Sequence, residues 1–128
     1  MHQLFVALAA LPVILLLDFI WLGNLAKPIY QRHIGSLLGE PRWAAAALVY
    51  LLLVTGIVLF VLPHCKSTWQ ALLWGGLFGA ITYGIYDFTN LAILKNWNWA
   101  ISLIDLAWGV FVCALTTVAA MHIDKLLR

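Results

Sequence analysis

Four long apolar runs make up almost the whole of this 128-residue chain. They cover residues 3–25, 43–62, 69–94 and 99–122, and each is long enough for a helix that crosses a hydrocarbon core of about 30 Å. Only 9% of the residues are charged, whereas a soluble domain usually has about a quarter. The apolar side chains are therefore expected to face lipid. The pattern predicts an all-α integral membrane protein, a four-helix bundle that forms one domain over residues 1–128.

The connections between the runs predict how the helices are arranged. The turn at 95–98 is tight, so spans three and four should form an antiparallel hairpin, and the whole bundle is predicted to consist of two such hairpins. A six-residue loop at 63–68 leads from span two into span three. The long polar connection at 26–42 contains Ile29 and Ile34 among charged residues, which predicts a short helix lying in the membrane interface. The first run should be a retained helix and not a cleaved signal, because its n-region is only Met-His-Gln and the run continues through residues 18–23.

Charge and cysteine content exclude several classes of function. The formal net charge of +2 is too small to suggest a nucleic-acid partner, while the basic connections suit anionic lipid headgroups. Basic residues divide evenly between the two predicted membrane faces, so the positive-inside rule does not fix the orientation. The two cysteines are too few for a disulfide framework.

Three of the four runs carry an aspartate, and these are the most informative residues. Counted from the nearest end of its run, Asp18 is seven residues deep, Asp87 seven and Asp105 six. At 1.5 Å per residue, all three should lie about 10 Å below the same membrane face. The spacing therefore predicts one site that is shared by three helices.

An aspartate that faces lipid is costly, at about 2.5 to 3.5 kcal/mol on the insertion scale. The three side chains should therefore point into the bundle, where repulsion and low dielectric favour a proton on at least one of them. A bound cation would reverse that expectation. The structural alternative is a protonated aspartate that serves only as a hydrogen-bond clamp between helices.

The residues around the aspartates predict a cavity. Small and polar residues share one face of the third run, where Gly76, Ala80 and Gly84 lead to Asp87 and Asn90. Each of the other two aspartates is followed three positions later by a tryptophan, which would form a wall of the site. The second run has little polar character and is predicted to be a scaffold. The predicted binding residues are Asp18, Trp21, Asn24, Tyr83, Tyr86, Asp87, Asn90, Lys95, Asp105 and Trp108.

The pattern of the remaining polar and aromatic residues favours anchoring in the membrane interface over a role in catalysis or ligand binding. Tryptophans at the ends of runs are expected in the aromatic belt of the interface, and these are Trp43, Trp69, Trp97 and Trp99. Histidines 2, 64 and 122 should lie on the face opposite the aspartates. No spacing indicates a metal site, and the chain contains no nucleotide-binding or metalloprotease motif. No cofactor is predicted.

Four short blocks carry a resemblance to a known family. They are Asp18-Phe-Ile-Trp-Leu-Gly23, Tyr86-Asp-Phe-Thr-Asn-Leu-Ala92, Leu94-Lys-Asn-Trp97 and Asp105-Leu-Ala-Trp-Gly109. Together they resemble the domain of unknown function 2177 family of short bacterial membrane proteins with four spans. Asn98 departs from the proline expected after Trp97, which predicts a less rigid turn. The resemblance implies the fold and a bacterial inner membrane, and it implies no reaction.

Three functions are compatible with these features. The first is binding or transport of a small ion or solute, coupled to protonation of the aspartates. It would need a homo-oligomer, for which the Gly75-x-x-x-Gly79 face is a candidate contact. The second is a lipid-modifying enzyme or its accessory subunit, in which a headgroup and a divalent metal lie near the aspartates. The third is a non-catalytic subunit that binds a lipid-like ligand or holds helices together.

Overall fold

The structure, a computed structural model, describes residues 1–25, 27–35 and 42–128, and it describes the side chains of these residues except at 24 and 25. The described residues form five α-helices, which confirms the all-α prediction. These are α1 (His2–Ile20), α2 (Lys27–Ile34), α3 (Trp43–Gly56), α4 (Thr68–Ile93) and α5 (Trp99–Leu126). A π-helical turn at Trp21–Leu25 extends α1. A second π turn at Ile57–Val61 and a 3-10 turn at Leu62–His64 extend α3.

Three of the four predicted spans are confirmed as long and apolar enough to cross a membrane. They are His2–Gly23, Trp43–His64 and Trp99–Leu126. The fourth, α4, has 26 residues and a length of about 39 Å at 1.5 Å per residue. It is less apolar because glycines, tyrosines and the polar residues near its end lower its mean hydropathy. The short helix predicted in the 26–42 connection is present as α2.

Glycines bring α4 and α5 into close contact. A Cβ atom added at Gly79 would overlap the backbone carbonyl of Gly109, and one added at Gly109 would overlap the ring of Tyr83. Farther along, a Cβ atom at Gly75 would meet the side chain of Thr117. The two helices can approach this closely only because these positions lack side chains.

The same glycines correct one prediction about assembly. The Gly75-x-x-x-Gly79 face was a candidate for contact between copies of the chain, but both glycines are buried against α5. That surface is occupied within a single chain. Its use as an intermolecular contact is therefore a wrong prediction.

Polar residues cap the two helices of this hairpin. The Ser67 hydroxyl accepts a hydrogen bond from the backbone N–H of Gln70 at the start of α4. The Asn98 side chain accepts one from the backbone N–H of Ile101 at the start of α5. Asparagine is a good N-cap because its side-chain oxygen satisfies a free backbone donor, which a proline at that position would leave without a partner.

The apolar core fills the half of the bundle that contains the chain termini. It is built from α1, the end of α3 with the π-helical turn that follows it, and the second half of α5. The residues buried together there are Val6, Ala10, Ile14, Val54, Ile57, Val58, Val112 and Ala120. At the same end, Nε2 of His2 lies 2.5 Å from Oδ1 of Asp124, which also binds Arg128. The three predicted site aspartates lie in the other half.

Candidate functional site

Two cavities in this other half share a wall. The larger, of about 410 Å³, is lined by residues of α1, α3, α4 and α5. The smaller, of about 270 Å³, lies towards α2 and the α4–α5 turn. Both are lined by Asp18, Tyr83, Tyr86 and Asp105. The structure therefore brings two of the three predicted aspartates to one place, together with the two predicted tyrosines.

The two Asp-x-x-Trp segments pair with each other across α1 and α5. Trp108 of α5 donates its indole N–H to Oδ1 of Asp18 at 2.6 Å. The ring of Trp108 stacks on that of Trp21, with 4.6 Å between centroids and an interplanar angle of 5°. Both indole rings line the smaller cavity.

Tyr30 of α2 connects the two segments by hydrogen bonds to one residue of each. Its hydroxyl donates to Oδ1 of Asp105 at 2.6 Å and accepts a hydrogen bond from the indole N–H of Trp21 at 3.2 Å. Burial, and then the neighbouring Asp105, raise the pKa of Tyr30 above its usual range. The phenol therefore stays neutral and keeps the proton that it donates.

Removing the Tyr30 hydroxyl should loosen α2. In Tyr30→Phe, Asp105 loses a donor and Trp21 loses an acceptor, and each such loss costs about 1 kcal/mol. We expect faster hydrogen exchange in the backbone amides of Lys27–Ile34, with little change in α4. Tyr86→Phe is the control, because Tyr86 is 56% exposed. Equal exchange in both variants would show that the Tyr30 bond does not hold α2.

Asp87 is fully buried, with 0% of its surface exposed. Among the described residues, no N–H or O–H donor reaches either of its carboxyl oxygens or Oδ2 of Asp105. The carboxyl groups of Asp87 and Asp105 lie close enough together to interact. A buried pair of this kind is stable only if a proton or another cation lies between its members.

The other predicted site residues have different positions. Asn90 lies beside Tyr86 on α4, within reach of its hydroxyl. Lys95 is exposed, and among the described residues it forms no ion pair with the aspartates. The side chain of Asn24 lies outside the described ones, so its predicted role is not placed.

Sequence reasoning missed two tyrosines that contact the aspartates. Tyr50 of α3 lies against the carboxyl group of Asp18 and lines the larger cavity, although the second run was predicted to be only a scaffold. Tyr30 belongs to a polar connection, and only the docking of α2 brings it to Asp105. The matching Asp-x-x-Trp segments gave a sequence signal for the tryptophan contacts, while no comparable signal marked either tyrosine.

One predicted membrane anchor is instead part of the protein interior. Trp43, Trp69 and Trp99 are 77%, 69% and 65% exposed, but Trp97 is only 8% exposed. Its indole N–H donates to the hydroxyl of Ser102 at 2.9 Å, and its ring meets the edge of Tyr86. The anchoring prediction for Trp97 is therefore wrong. A position at the end of a run does not determine which way a side chain faces.

The site combines carboxylates with aromatic walls. Neither cavity is lined by a lysine, arginine or histidine among the described residues. In that part of the chain, histidine, cysteine and acidic residues form no group of three that could hold a metal ion. Such a site can attract a positively charged group through its carboxylates and hold it against tyrosine and tryptophan rings.

Comparison with known proteins identifies the family to which the chain belongs. The family described as predicted membrane protein (DUF2177) matches residues 3–122 of the chain. No curated protein and no solved structure shows a significant match. The matched region includes all three site aspartates and every residue that lines the two cavities. This chain therefore belongs to the predicted membrane protein family DUF2177.

Proposed function

We propose that this protein binds a small cation in exchange for a proton, at a site formed by Asp18, Asp87 and Asp105 within a bundle of four membrane-spanning helices. As a membrane protein it contacts lipids, and we place it in the bacterial inner membrane, as the resemblance implies. In this proposal α4 is the fourth span, because it packs along α5 and is about 39 Å long.

The observation that carries the proposal is the pair formed by the buried side chain of Asp87 and the buried Oδ2 atom of Asp105. Asp87 has no other donor among the described residues, whereas Asp105 accepts a hydrogen bond from Tyr30. Before a cation binds, Asp87 in this proposal holds a proton and donates it to Oδ2 of Asp105. The indole N–H of Trp108 donates to Oδ1 of Asp18, which lines both cavities.

Binding would change the charge balance at this pair. A cation that enters beside Asp18 and Asp105 stabilises negative charge on both. The cation then compensates the negative charge of the carboxylates, which the proton did before, and Asp87 can release its proton. One cation enters, one proton leaves, and the net charge of the site is unchanged.

The apolar core explains why binding is proposed ahead of transport. The cavities lie in one half of the bundle, while buried residues such as Ile14, Ile57 and Val112 fill the other half. A transport cycle would require this core to separate, so that the site could reach the second membrane face. Binding with proton exchange needs no such change.

The test is a measurement of proton release. The purified full chain in dodecyl maltoside, weakly buffered with an indicator dye, is titrated with tetramethylammonium chloride and, in parallel, with sodium chloride. We expect at least one of the two cations to release protons saturably, approaching about one per chain. The half-saturating concentration should rise about tenfold for each pH unit of acidification, as a one-for-one exchange requires.

Matched variants distinguish the site from the rest of the chain. Asp105→Asn should abolish the release, because the pair then lacks the carboxylate that the cation stabilises. Asp124→Asn should retain it, since Asp124 lies at the other end of the molecule beside His2. Absence of release from the wild-type protein with both cations would refute the proposed function, as would equal release from the two variants.

A further inference from the structure

We infer that the cation is the head of an amphiphile, and that its apolar chain leaves the bundle sideways between α3 and α4. This inference rests on the proposed function and names the class of ligand. The head would lie near Asp18 and Asp105, and the chain would extend past Ala46 and Val49 towards the lipid. A single-chain alkylammonium compound has the required chemistry.

The first support is that α3 diverges from α4. In the described part of the chain, the backbone of the turn Ile57–Val61 packs on α4, but the backbone of Trp43–Gly56 makes no close approach to the backbone of α4. Close contact begins at Gly56, where the absence of a side chain leaves room for the ring of Phe78. None of residues 43–52 is buried. The two helices therefore enclose a wedge that widens towards the end of the bundle with the aspartates.

The second support is the order of side chains from the wedge to the interior. Ala46, Val49 and Leu53 line the cavity from α3, and Thr82 lines it from α4. Val49 is 52% exposed at the outer edge, whereas Asp18, deep in the cavity, is 7% exposed. The cavity is thus apolar on its outer side and acidic at its inner end. An amphiphile with its charged group inwards matches this order.

The third support is the charge of the side chains that line the cavity. Among the described residues, two carboxylates and no basic side chain line the cavity, so an anionic headgroup would be repelled. The rings of Tyr50, Tyr83 and Tyr86 line the same space, and aromatic faces attract ammonium groups. A neutral amphiphile would match the apolar wall but would leave the carboxylates uncompensated.

The experiment compares cations with and without a chain. The full chain in phosphatidylcholine nanodiscs is titrated with decyltrimethylammonium bromide and with tetramethylammonium chloride, and proton release is measured. The half-saturating concentration of the decyl compound should be at least about tenfold lower, because burial of about two methylene groups already gives that factor. Decanol, which has the chain without the charge, should release no protons.

Two phenylalanine variants test the path of the chain. Ala46→Phe places a ring in the wedge and should remove the tenfold advantage of the decyl compound. Ala47→Phe, one position along the same exposed helix and outside the cavity lining, should keep it. Both proteins are in the same lipid, so partitioning of the decyl compound into the bilayer affects them equally. Val49→Phe is the second variant if Ala46→Phe does not fold.

The outcomes separate the inference from the proposed function. If both variants keep the advantage while tetramethylammonium still releases protons, the lateral path is wrong and the proposed function stands. Proton release by decanol would overturn the requirement for charge. If no cation releases protons from the wild-type protein, both the inference and the proposed function fail.

Discussion

Replacing Gly79 by alanine is expected to destabilise the bundle more than any other single methyl group added to α4. The new Cβ atom would overlap the backbone carbonyl of Gly109 on α5, and a backbone atom cannot move aside as a side chain can. Overpacking of this kind costs about 3 kcal/mol. The measurement is the free energy of unfolding in a sodium dodecyl sulfate titration of the purified protein.

Gly84→Ala is the matched control on the same helix. Its Cβ atom would meet Cδ1 of Leu106 at 3.6 Å, an ordinary packing distance. Alanine also favours the helix over glycine by about 1 kcal/mol, so this variant should be as stable as the wild type or more stable. Equal losses in the two variants, or no loss in either, would show that Gly79 does not set the distance between α4 and α5.

The contrast between these glycines shows how far the sequence predicts helix packing. Small residues at intervals of four identify a face that permits close approach. The sequence does not identify the neighbour. It predicts Gly75 and Gly79 as a contact between copies, whereas both glycines contact α5 of the same chain. Trp97 illustrates the same gap, because its burial against Ser102 depends on how the α4–α5 turn folds.

The candidate site was predicted in part for a simple geometric reason. The rise per residue of a helix is constant, so counting from the ends of the runs could place Asp18, Asp87 and Asp105 at a common level. The sequence could not predict Tyr30 and Tyr50 as partners, because their positions depend on how α2 docks and how α3 is rotated. These two phenols contact two of the three carboxyl groups and complete the chemistry of the site.

Asp87→Asn is expected to abolish cation-induced proton release and to leave the protein folded. The asparagine side chain has nearly the same shape, and its amide N–H can donate to Oδ2 of Asp105 as the protonated acid would. The hydrogen bond between the helices is then kept, while the exchangeable proton is lost. The measurements are proton release on addition of the cation that is active with the wild type, and the free energy of unfolding, which should change by less than about 1 kcal/mol.

The variant Asp87→Leu distinguishes two roles of Asp87, which are to hold the exchanged proton and to donate a hydrogen bond between helices. Leucine fills similar space but cannot donate, so Oδ2 of Asp105 would remain buried without a partner, at a cost of about 1 to 3 kcal/mol. If Asp87 serves only as a clamp between helices, the leucine variant should be destabilised while the asparagine variant keeps full proton release. If Asp87 holds the exchanged proton, both variants should lose the release and only the leucine variant should lose stability. Asp124→Asn, beside His2 at the other end of the bundle, should keep the release in either case, because its carboxyl group lies outside the site.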